Sequence, residues 1–424
     1  VDAKEFFEYT PGILRAYVHP EHFNHLTFTL KHALENNLGV KYMWGEVTEL
    51  DGAGMRARVK PMFADEEIIE FDYCVISAGC NFNPLHKYGE SLWFPTVHAV
   101  ARPHSDWKHL DERYIEGRRR HILEEYGVLK DLNERSATVL VVGAGFIGVE
   151  WVTELQHYFP KLKLFIIDFL NKCLGPLPDS AAGYCDKYMS RKGIKATYGV
   201  KYDPNNWKEY GMSSPPDKTY VCIGVKASNY FMPEEVLSDK GPGGGKWIHV
   251  NKCLQVVTKD RKVWGNGKIF AVGDCNQTFA DEIKPIPKIS YPGEEQATHA
   301  CESIKKMAGK TGCCGCPNFC CGLGKKAPTP KVSWWPWGAG MFATSLGPND
   351  ACFVIAAKSE PRTGHLVLCG CLSAIQKWLI ECTKVNENRG GYIGLWIWHY
   401  VHHTPCHWFG EGCRSDNLCH MGHF

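Results

Sequence analysis

The sequence predicts an α/β fold built on parallel sheets, and three observations carry that prediction. Between Ser136 and Asp168 a strand, a glycine-rich turn, a helix and a second strand follow one another in the spacing of a βαβ unit. Strand and helix patterns keep alternating from there to Val250, the order that a parallel sheet requires. A further strand, in Ile269 to Cys275, ends on Val-Gly-Asp, again a strand running into a glycine and a carboxylate.

The βαβ unit is the most informative stretch. Thr138 to Val142 is a short β-branched and aliphatic run, as in a buried strand. Gly143-Ala144-Gly145-Phe146-Ile147-Gly148 follows at once, and Ile147, Trp151 and Leu155 then recur every fourth residue, so the period has become helical. A second apolar run, Leu164 to Ile167, ends on Asp168. The glycines have separate duties: Gly143 makes the tight turn, Gly145 lets a pyrophosphate approach the backbone, and Gly148 lets helix pack on strand. The helix N-terminus offers free N–H groups and positive dipole to phosphates. Asp168 stands about 20 residues past the last glycine, where an acid binds a ribose 2′-hydroxyl. Together these pieces specify a dinucleotide site, and the acid favours NADH over NADPH.

Upstream, Val1-Asp2 reads as the end of a strand, with Asp2 the acidic terminus of a βαβ unit whose first strand and glycine loop are expected before Val1. A turn at Tyr9 to Gly12, a helix over Pro20 to Asn36 and a strand over Lys41 to Gly52 come next. Strands over Glu67 to Phe71 and Tyr73 to Ile76 lead into Ser77-Ala78-Gly79, and the charged run Asp111 to Leu132 reads as a helical connector. After the βαβ unit, Asp179 is placed to cap a helix ending near Lys192-Gly193. Ile194 to Val200, Tyr220 to Gly224 and Trp247 to Val250 are strands, and Gly241 to Gly245 breaks the pattern. A helix over Glu294 to Met307 aims its N-terminus at a cofactor. Cys352 to Ala356 and His365 to Leu368 form a hairpin, a helix follows over Leu372 to Cys382, and Tyr392 to Tyr400 is rich in Trp and Tyr.

The 424 residues suffice for two or three domains, and a formal net charge of +2 argues against a nucleic-acid partner. No apolar run approaches the ~20 residues of a membrane-spanning helix. The aromatic stretch at Tyr392 to Tyr400 instead suits a bilayer interface or a partner surface, with a buried strand as the plainer reading. Twenty cysteines are many. The earlier ones, including Cys173, Cys185 and Cys222, are isolated in sequence and read as small apolar packing residues. Later ones cluster at Cys313, Cys314, Cys316, Cys320 and Cys321, and in the tail at Cys406, Cys413 and Cys419. Neither group has the paired CxxC spacing of a strong zinc site, so no metal is assigned. A metal or iron–sulfur site, an acylated membrane-facing loop and a plain surface loop remain the three readings.

The ordered set of motifs resembles the two-dinucleotide-binding flavoprotein oxidoreductases of the pyridine nucleotide-disulfide oxidoreductase type. Within them it is most similar to the type II NADH dehydrogenases and the apoptosis-inducing-factor-like quinone reductases of the ferroptosis suppressor protein kind. The segments that carry the resemblance are Val1-Asp2 with Leu14-Arg15-Ala16, Ser77-Ala78-Gly79, Gly143 to Glu150, Cys222 to Lys226, Ile269 to Cys275, Pro287 to Tyr291, Ser345 to Asp350 and Thr383-Lys384. The resemblance implies two Rossmann-like domains, the NADH domain (131–250) inserted in a split FAD domain (1–130 and 251–308). A cysteine-rich linker (309–330) and a small α+β C-terminal domain (331–424) that associates with a membrane or partner complete the chain.

Site roles follow from the same resemblance. Asp2, Ala78, Gly79, Gly273 and Asp274 fall to FAD, and Gly143, Gly145, Gly148, Asp168 and Gly224 to NADH. Glu150 is placed near the nicotinamide, Lys288, Tyr291 and Gln296 along a quinone tunnel, and Lys384 near the flavin. The implied activity is non-proton-pumping NADH:quinone oxidoreduction at a peripheral membrane site, in the mitochondrial inner membrane or a plastid. Taken as residues alone, Glu150 is also a helix carboxylate bonded to nearby backbone, Tyr291 a packing residue and Lys384 a solvated lysine. A non-catalytic subunit of a larger membrane complex is the alternative for the whole chain, with a sulfide:quinone reductase behind it. Departures from the family pattern are the absent first glycine loop, an insertion between Asp274 and Lys288, and the cysteine-rich additions.

Overall fold

A computed structural model describes residues 1–82, 111–281, 288–309, 341–356 and 365–403. The chain enters through β1 (Phe6–Glu8), α1 (Ile13–Val18), α2 (Phe23–Leu26) and β2 (Thr27–Thr29). The helix expected over Pro20 to Asn36 is therefore interrupted. Thr27, Phe28 and Thr29 pair antiparallel with Phe6 to Glu8, and Phe7 stacks on Phe28 with ring centroids 4.9 Å apart. Two β-branched residues around an aromatic suit a strand better than a helix, and the cross-strand pairing settles the choice. Only a single π-helical stretch, His32–Asn37, follows.

β3 (Gly45–Asp51), β4 (Arg56–Pro61) and β5 (Glu67–Glu70) form an antiparallel meander, followed by β6 (Cys74–Ile76) and β7 (Cys80–Phe82). The charged connector proves to be a 20-residue helix, α3 (Ile115–Glu134), and its charge is partly internal. Arg118 is fully buried, with Nε 2.9 Å from Glu8 Oε2 and Nη1 2.8 Å from Glu112 Oε1 and 2.9 Å from the Tyr17 hydroxyl. Ile122, Leu129 and Leu132, on the same helix, join the core.

β8 (Thr138–Val142), α4 (Phe146–Tyr158), β9 (Lys163–Asp168), α5 (Asp179–Arg191), β10 (Lys195–Tyr198) and β11 (Lys218–Val221) build a four-stranded parallel sheet in the order β10-β9-β8-β11. Both faces are covered, which is why its strands are apolar throughout rather than alternating. Val139, Val141 and Ile166 pack towards Trp151, Val152 and Leu155, while Leu140, Val142, Phe165 and Ile167 pack with Tyr210 and Met212. Asp179 is the first residue of α5, not its cap; its carboxylate pairs with Lys172 at 2.5 Å. The strand order reverses between β8 and β11, and open α/β sheets bind ligands at such a switch point, beyond the carboxyl ends of the strands.

β12 (Val225–Ala227) returns to pair antiparallel with β7. β13 (Ile248–Val250), β14 (Ile269–Ala271) and β15 (Asn276–Thr278) follow, β14 pairing parallel with β6 and β13 parallel with β15. Then come α6 (Ser290–Met307), the antiparallel sheet β16 (Met341–Ser345), β17 (Ala351–Ala356), β18 (His365–Cys369), and the helices α7 (Cys371–Asn388) and α8 (Tyr392–His403). The aromatic stretch read as an interfacial segment or buried strand is thus helical. The fold is mixed α/β with parallel sheets of Rossmann type, as the sequence predicts. The cysteines from Cys313 to Cys321 and those of the tail lie outside the described residues. Among the described residues no helix is long and apolar enough to cross a membrane.

Candidate active site

The glycine loop between β8 and α4 has the geometry its sequence implies. Gly143 sits at φ +100°, where a side chain is strained, and a Cβ on it would lie 2.4 Å from the Ile223 Cγ2. A Cβ on Gly148 would lie 1.8 Å from the Gly143 carbonyl oxygen, so α4 rests directly on the turn. A Cβ on Gly145 meets nothing within 4 Å. That open flank adjoins a helix N-terminus with no side-chain cap, which together make a cradle for a pyrophosphate.

Asp168 is buried at the end of β9, and both of its oxygens are engaged. Oδ2 accepts the Ala144 N–H at 2.6 Å and Oδ1 accepts the Leu170 N–H at 2.8 Å. The acid therefore braces the glycine loop, and each oxygen retains acceptor capacity for a ribose hydroxyl. Gly224, at φ +79°, ends the neighbouring loop beyond β11, whose Ile223 lies against Gly143.

The second set of loops lies beyond β6 and β14. Gly79 takes φ +66° with open space around it, and Ala78 beside it is exposed. Gly273, at φ +72°, faces Gly293 in the first turn of α6, and its N–H donates to Gln296 Oε1 at 2.7 Å. The same Gln296 oxygen accepts from Asn276 Nδ2 at 2.7 Å. Asp274 takes a thiol contact from Cys80 Sγ at 3.7 Å on Oδ2. Burial raises its carboxyl above the usual range, opposed by the Lys288 charge and the Cys80 contact. Lys288 Nζ donates to the Asp274 carbonyl at 2.7 Å and the Asn276 carbonyl at 3.0 Å, and lies 3.8 Å above the Trp247 ring. Burial lowers its ammonium pKa. The glycine-to-glycine approach of an uncapped α6 and a desolvated acid at the strand end fit the polar chain of a flavin nucleotide. At the far end, Asp2 bridges in parallel to Trp44 and accepts the Lys4 N–H at 2.8 Å. The two sets of loops are tied together by the pairing of β7 with β12, Cys80 opposite Ala227.

Glu150, on α4, meets the C-terminal elements. It accepts the Ser345 N–H at 2.8 Å and pairs with Lys377 of α7. Its plainer reading, a carboxylate bonded to backbone, is thus partly what is found, but the backbone is 195 residues away. Glu150 lines a cavity of about 360 Å³ with Arg15, Glu154, Ser345, Lys377 and Glu381. Arg15 donates to Glu154 Oε1 through Nη2 at 2.7 Å. Burial, reinforced by the carboxylates Glu294, Glu381 and Glu150, pushes the Tyr9 hydroxyl pKa up.

Lys384 is not solvated. It is buried, 2.5 Å from Glu294 Oε2 and 2.8 Å from Glu387 Oε2, with Nζ 3.6 Å above the Trp398 ring. Lys288 and Gln296 brace the Asp274 loop through backbone and Asn276 contacts, and Tyr291 lies in the first turn of α6 with its side chain outside the described residues. Glu154 and Lys377 line the cavity, and the sequence reading missed both. Arg15 stood in a quoted motif, but nothing local marks Lys377, whose partner is 227 positions away. The cysteines isolated in sequence are not all isolated in space, since Cys185 meets Cys352.

Comparison with known proteins places these features. The family model described as pyridine nucleotide-disulphide oxidoreductase matches residues 10–303. The type II NADH:quinone oxidoreductase of Staphylococcus epidermidis is 22% identical over 284 residues, 64% of this chain and 66% of that protein. Its counterpart in Staphylococcus saprophyticus is 23% identical over 285 residues, 63% of this chain and 65% of that one. The chain spans just under two thirds of the length of these curated relatives. In fold it is similar to NDH2 from Plasmodium falciparum, solved in complex with NADH, at a TM-score of 0.54 and 11% identity over 94% of this chain and 92% of that one. With two glycine-bearing strand-end loops and the family model covering more than half of the chain, the protein belongs to the pyridine nucleotide-disulphide oxidoreductase family, whose membership implies FAD and NADH as its cofactors.

Proposed function

We propose that the chain is an FAD-dependent NADH:quinone oxidoreductase, with two electrons from NADH passed to a quinone. The observation that carries this reading is the tie between the loop that fits NADH and the loops that fit a flavin, made by β7 and β12. Bound FAD supplies the two-electron relay between nicotinamide and quinone. The chain's own part is binding and orientation. Gly145 and the α4 N-terminus receive the pyrophosphate, and Asp168 receives the ribose. Ala78, Gly79, Gly273 and Asp274 line the flavin, and Asp2 lies towards its adenosine end. Glu150, fixed by the Ser345 N–H and Lys377, orients the nicotinamide side, and the Lys377 ammonium holds a proton at the cavity wall, where quinone reduction consumes two. Lys288 and Gln296 act by holding the Asp274 loop, and Lys384 by fixing the start of α6.

Residues 1–130 and 251–308 form the flavin domain in this reading, 131–250 the NADH domain and 331–424 the membrane-associating part. The surface of α7 and α8 supports a peripheral membrane site: Leu372, Ile375, Leu379, Ile393 and Trp396 are all exposed. The test is spectroscopic. Full-length protein incubated with FAD and desalted is expected to keep the flavin absorption bands and bleach on NADH, and to recover them on addition of a soluble quinone. Failure to retain flavin would overturn the reading; retention without bleaching favours a non-catalytic subunit.

A further inference from the structure

We propose that Cys352 and Cys369 are an oxidisable dithiol, a modification site at which a peroxide converts two thiols into a disulfide joining β17 to β18. The inference is independent of the quinone reading and rests on strand geometry. Cys352 stands directly opposite Cys369 in the antiparallel pair, and their sulfurs lie 3.3 Å apart with both thiols free. The flanking Gly370 N–H donates to the Ala351 carbonyl at 3.0 Å, so residues 351 and 370 are the hydrogen-bonded pair and 352 and 369 the non-hydrogen-bonded one. At such pairs the Cα atoms approach to about 4.5 Å, inside the roughly 4.4–6.8 Å that a disulfide spans. The bond therefore needs a turn of two side chains and no displacement of the strands.

The chemistry of the site favours the reaction. A third thiol, Cys185 of α5, hydrogen-bonds to Cys352 from the adjoining layer. The hydrogen bond from Cys185, aided by that from Cys369 and opposed by burial, lowers the Cys352 thiol pKa. Two thiols converging on its sulfur favour the thiolate at Cys352 over its neighbours, and thiolate is the reactive form. It is fully buried, whereas Cys369 is half-buried on β18, the edge strand of its sheet, so a small oxidant enters from that side.

The Cys352 thiolate attacks one peroxide oxygen: an S–O bond forms, the O–O bond breaks, and the departing oxygen leaves as water after taking a proton. Cys369 sulfur then attacks the sulfenyl sulfur: the S–S bond forms, the S–O bond breaks, and a second water leaves with the Cys369 proton. Two thiols are oxidised by two electrons in all and one peroxide is reduced to two waters. The cross-link falls two residues after Asp350 and two before Cys371, both of which line the cavity. It pins the start of α7 to the loop that precedes β17.

The full chain, reduced and desalted, is treated with stoichiometric hydrogen peroxide, blocked with N-ethylmaleimide under denaturing conditions and digested without reductant. The expected result is a peptide linking Cys352 to Cys369, lighter by two hydrogens and released by dithiothreitol. In the Cys369→Ser variant Cys352 is expected to gain oxygen instead of a link. Alkylation of both residues after peroxide, or a link from Cys352 to any other cysteine, would overturn the assignment, as would an unmodified Cys352 in that variant.

Discussion

Lys384 Nζ lies 2.5 Å from Glu294 Oε2, which locks α7 onto the N-terminal half of α6. The same ammonium holds Glu387 and covers the Trp398 ring, so one buried cation joins three helices. Removing one member of a buried pair leaves an uncompensated charge, at a cost of about 3 kcal/mol. Lys384→Met is expected to lower the unfolding free energy by about that much in urea titration. A loss well under ~1 kcal/mol, the range of exposed pairs, would show the contact to be peripheral.

Gly145 and Gly148 separate binding from folding. Gly148→Ala puts a methyl 1.8 Å from the Gly143 oxygen, and α4 must lift from the turn. Overpacking of this kind costs about 1–3 kcal/mol or more, and thermal denaturation is expected to show it. Gly145→Ala places its methyl in open space at a negative φ, so the melting temperature should hold. Its NADH affinity should fall about tenfold or more, equivalent to about 1.4 kcal/mol, in a fluorescence titration. Unchanged affinity would remove the pyrophosphate from this loop.

Glu150 and Lys377 should behave as one unit. Glu150→Gln keeps an oxygen for the Ser345 N–H and removes the charge facing Lys377. Steady-state NADH oxidation with a soluble quinone is expected to show kcat down about tenfold in Glu150→Gln and in Lys377→Met, near 1.4 kcal/mol each. The double variant should be no slower than the slower single one. Additive losses would mean that the two side chains work separately.

His299 sets a pH window. Burial on α6, with the Lys306 charge adding to it, lowers its imidazole from 6.5 to about 4. The unfolded chain thus binds the proton more tightly than the folded one. The associated stability is present above pH 6.5 and is lost as pH falls from there towards 4, amounting to about 3 kcal/mol at most. Denaturant titrations of His299→Gln should show a flatter pH dependence across that interval. A slope equal to that of the unaltered protein would assign the window to other groups.

The α7–α8 face should bind bilayers. Trp396 and Leu379 are exposed on adjoining helices. Burying such side chains in an interface gains about 1.5–3 kcal/mol each. Co-sedimentation with anionic vesicles should be abolished in Leu379→Glu/Trp396→Glu, whose exposed side chains lie outside the cavity lining, with NADH binding intact. Equal sedimentation of both proteins would rule this face out.

What was legible in the sequence was what local period and spacing encode. The run Thr138 to Asp168 announced strand, turn, helix and strand because Gly143 and Gly148 answer local steric demands, and the structure shows both. The hairpin β17–β18 was readable for the same reason. The helix expected through Thr27 failed because its decisive partner, Phe6 to Glu8, lies about twenty residues upstream. The charged connector was readable as a helix, but not that its Arg118 is buried against Glu8 and Glu112, because Glu8 lies 110 positions away. Lys377, Lys384 and Cys352 act through contacts with distant segments, and no pattern within one element marks them.

The bond from Ala144 N–H to Asp168 has a consequence for how this protein can change. In the proposed function the acid assigned to the coenzyme's ribose also holds the turn assigned to its phosphates. A substitution that exchanged the acid for a residue tolerant of a 2′-phosphate would remove the brace in the same step. Under that proposal coenzyme preference is tied to the stability of the turn, and exchanging Asp168 is expected to need a compensating change near Ala144.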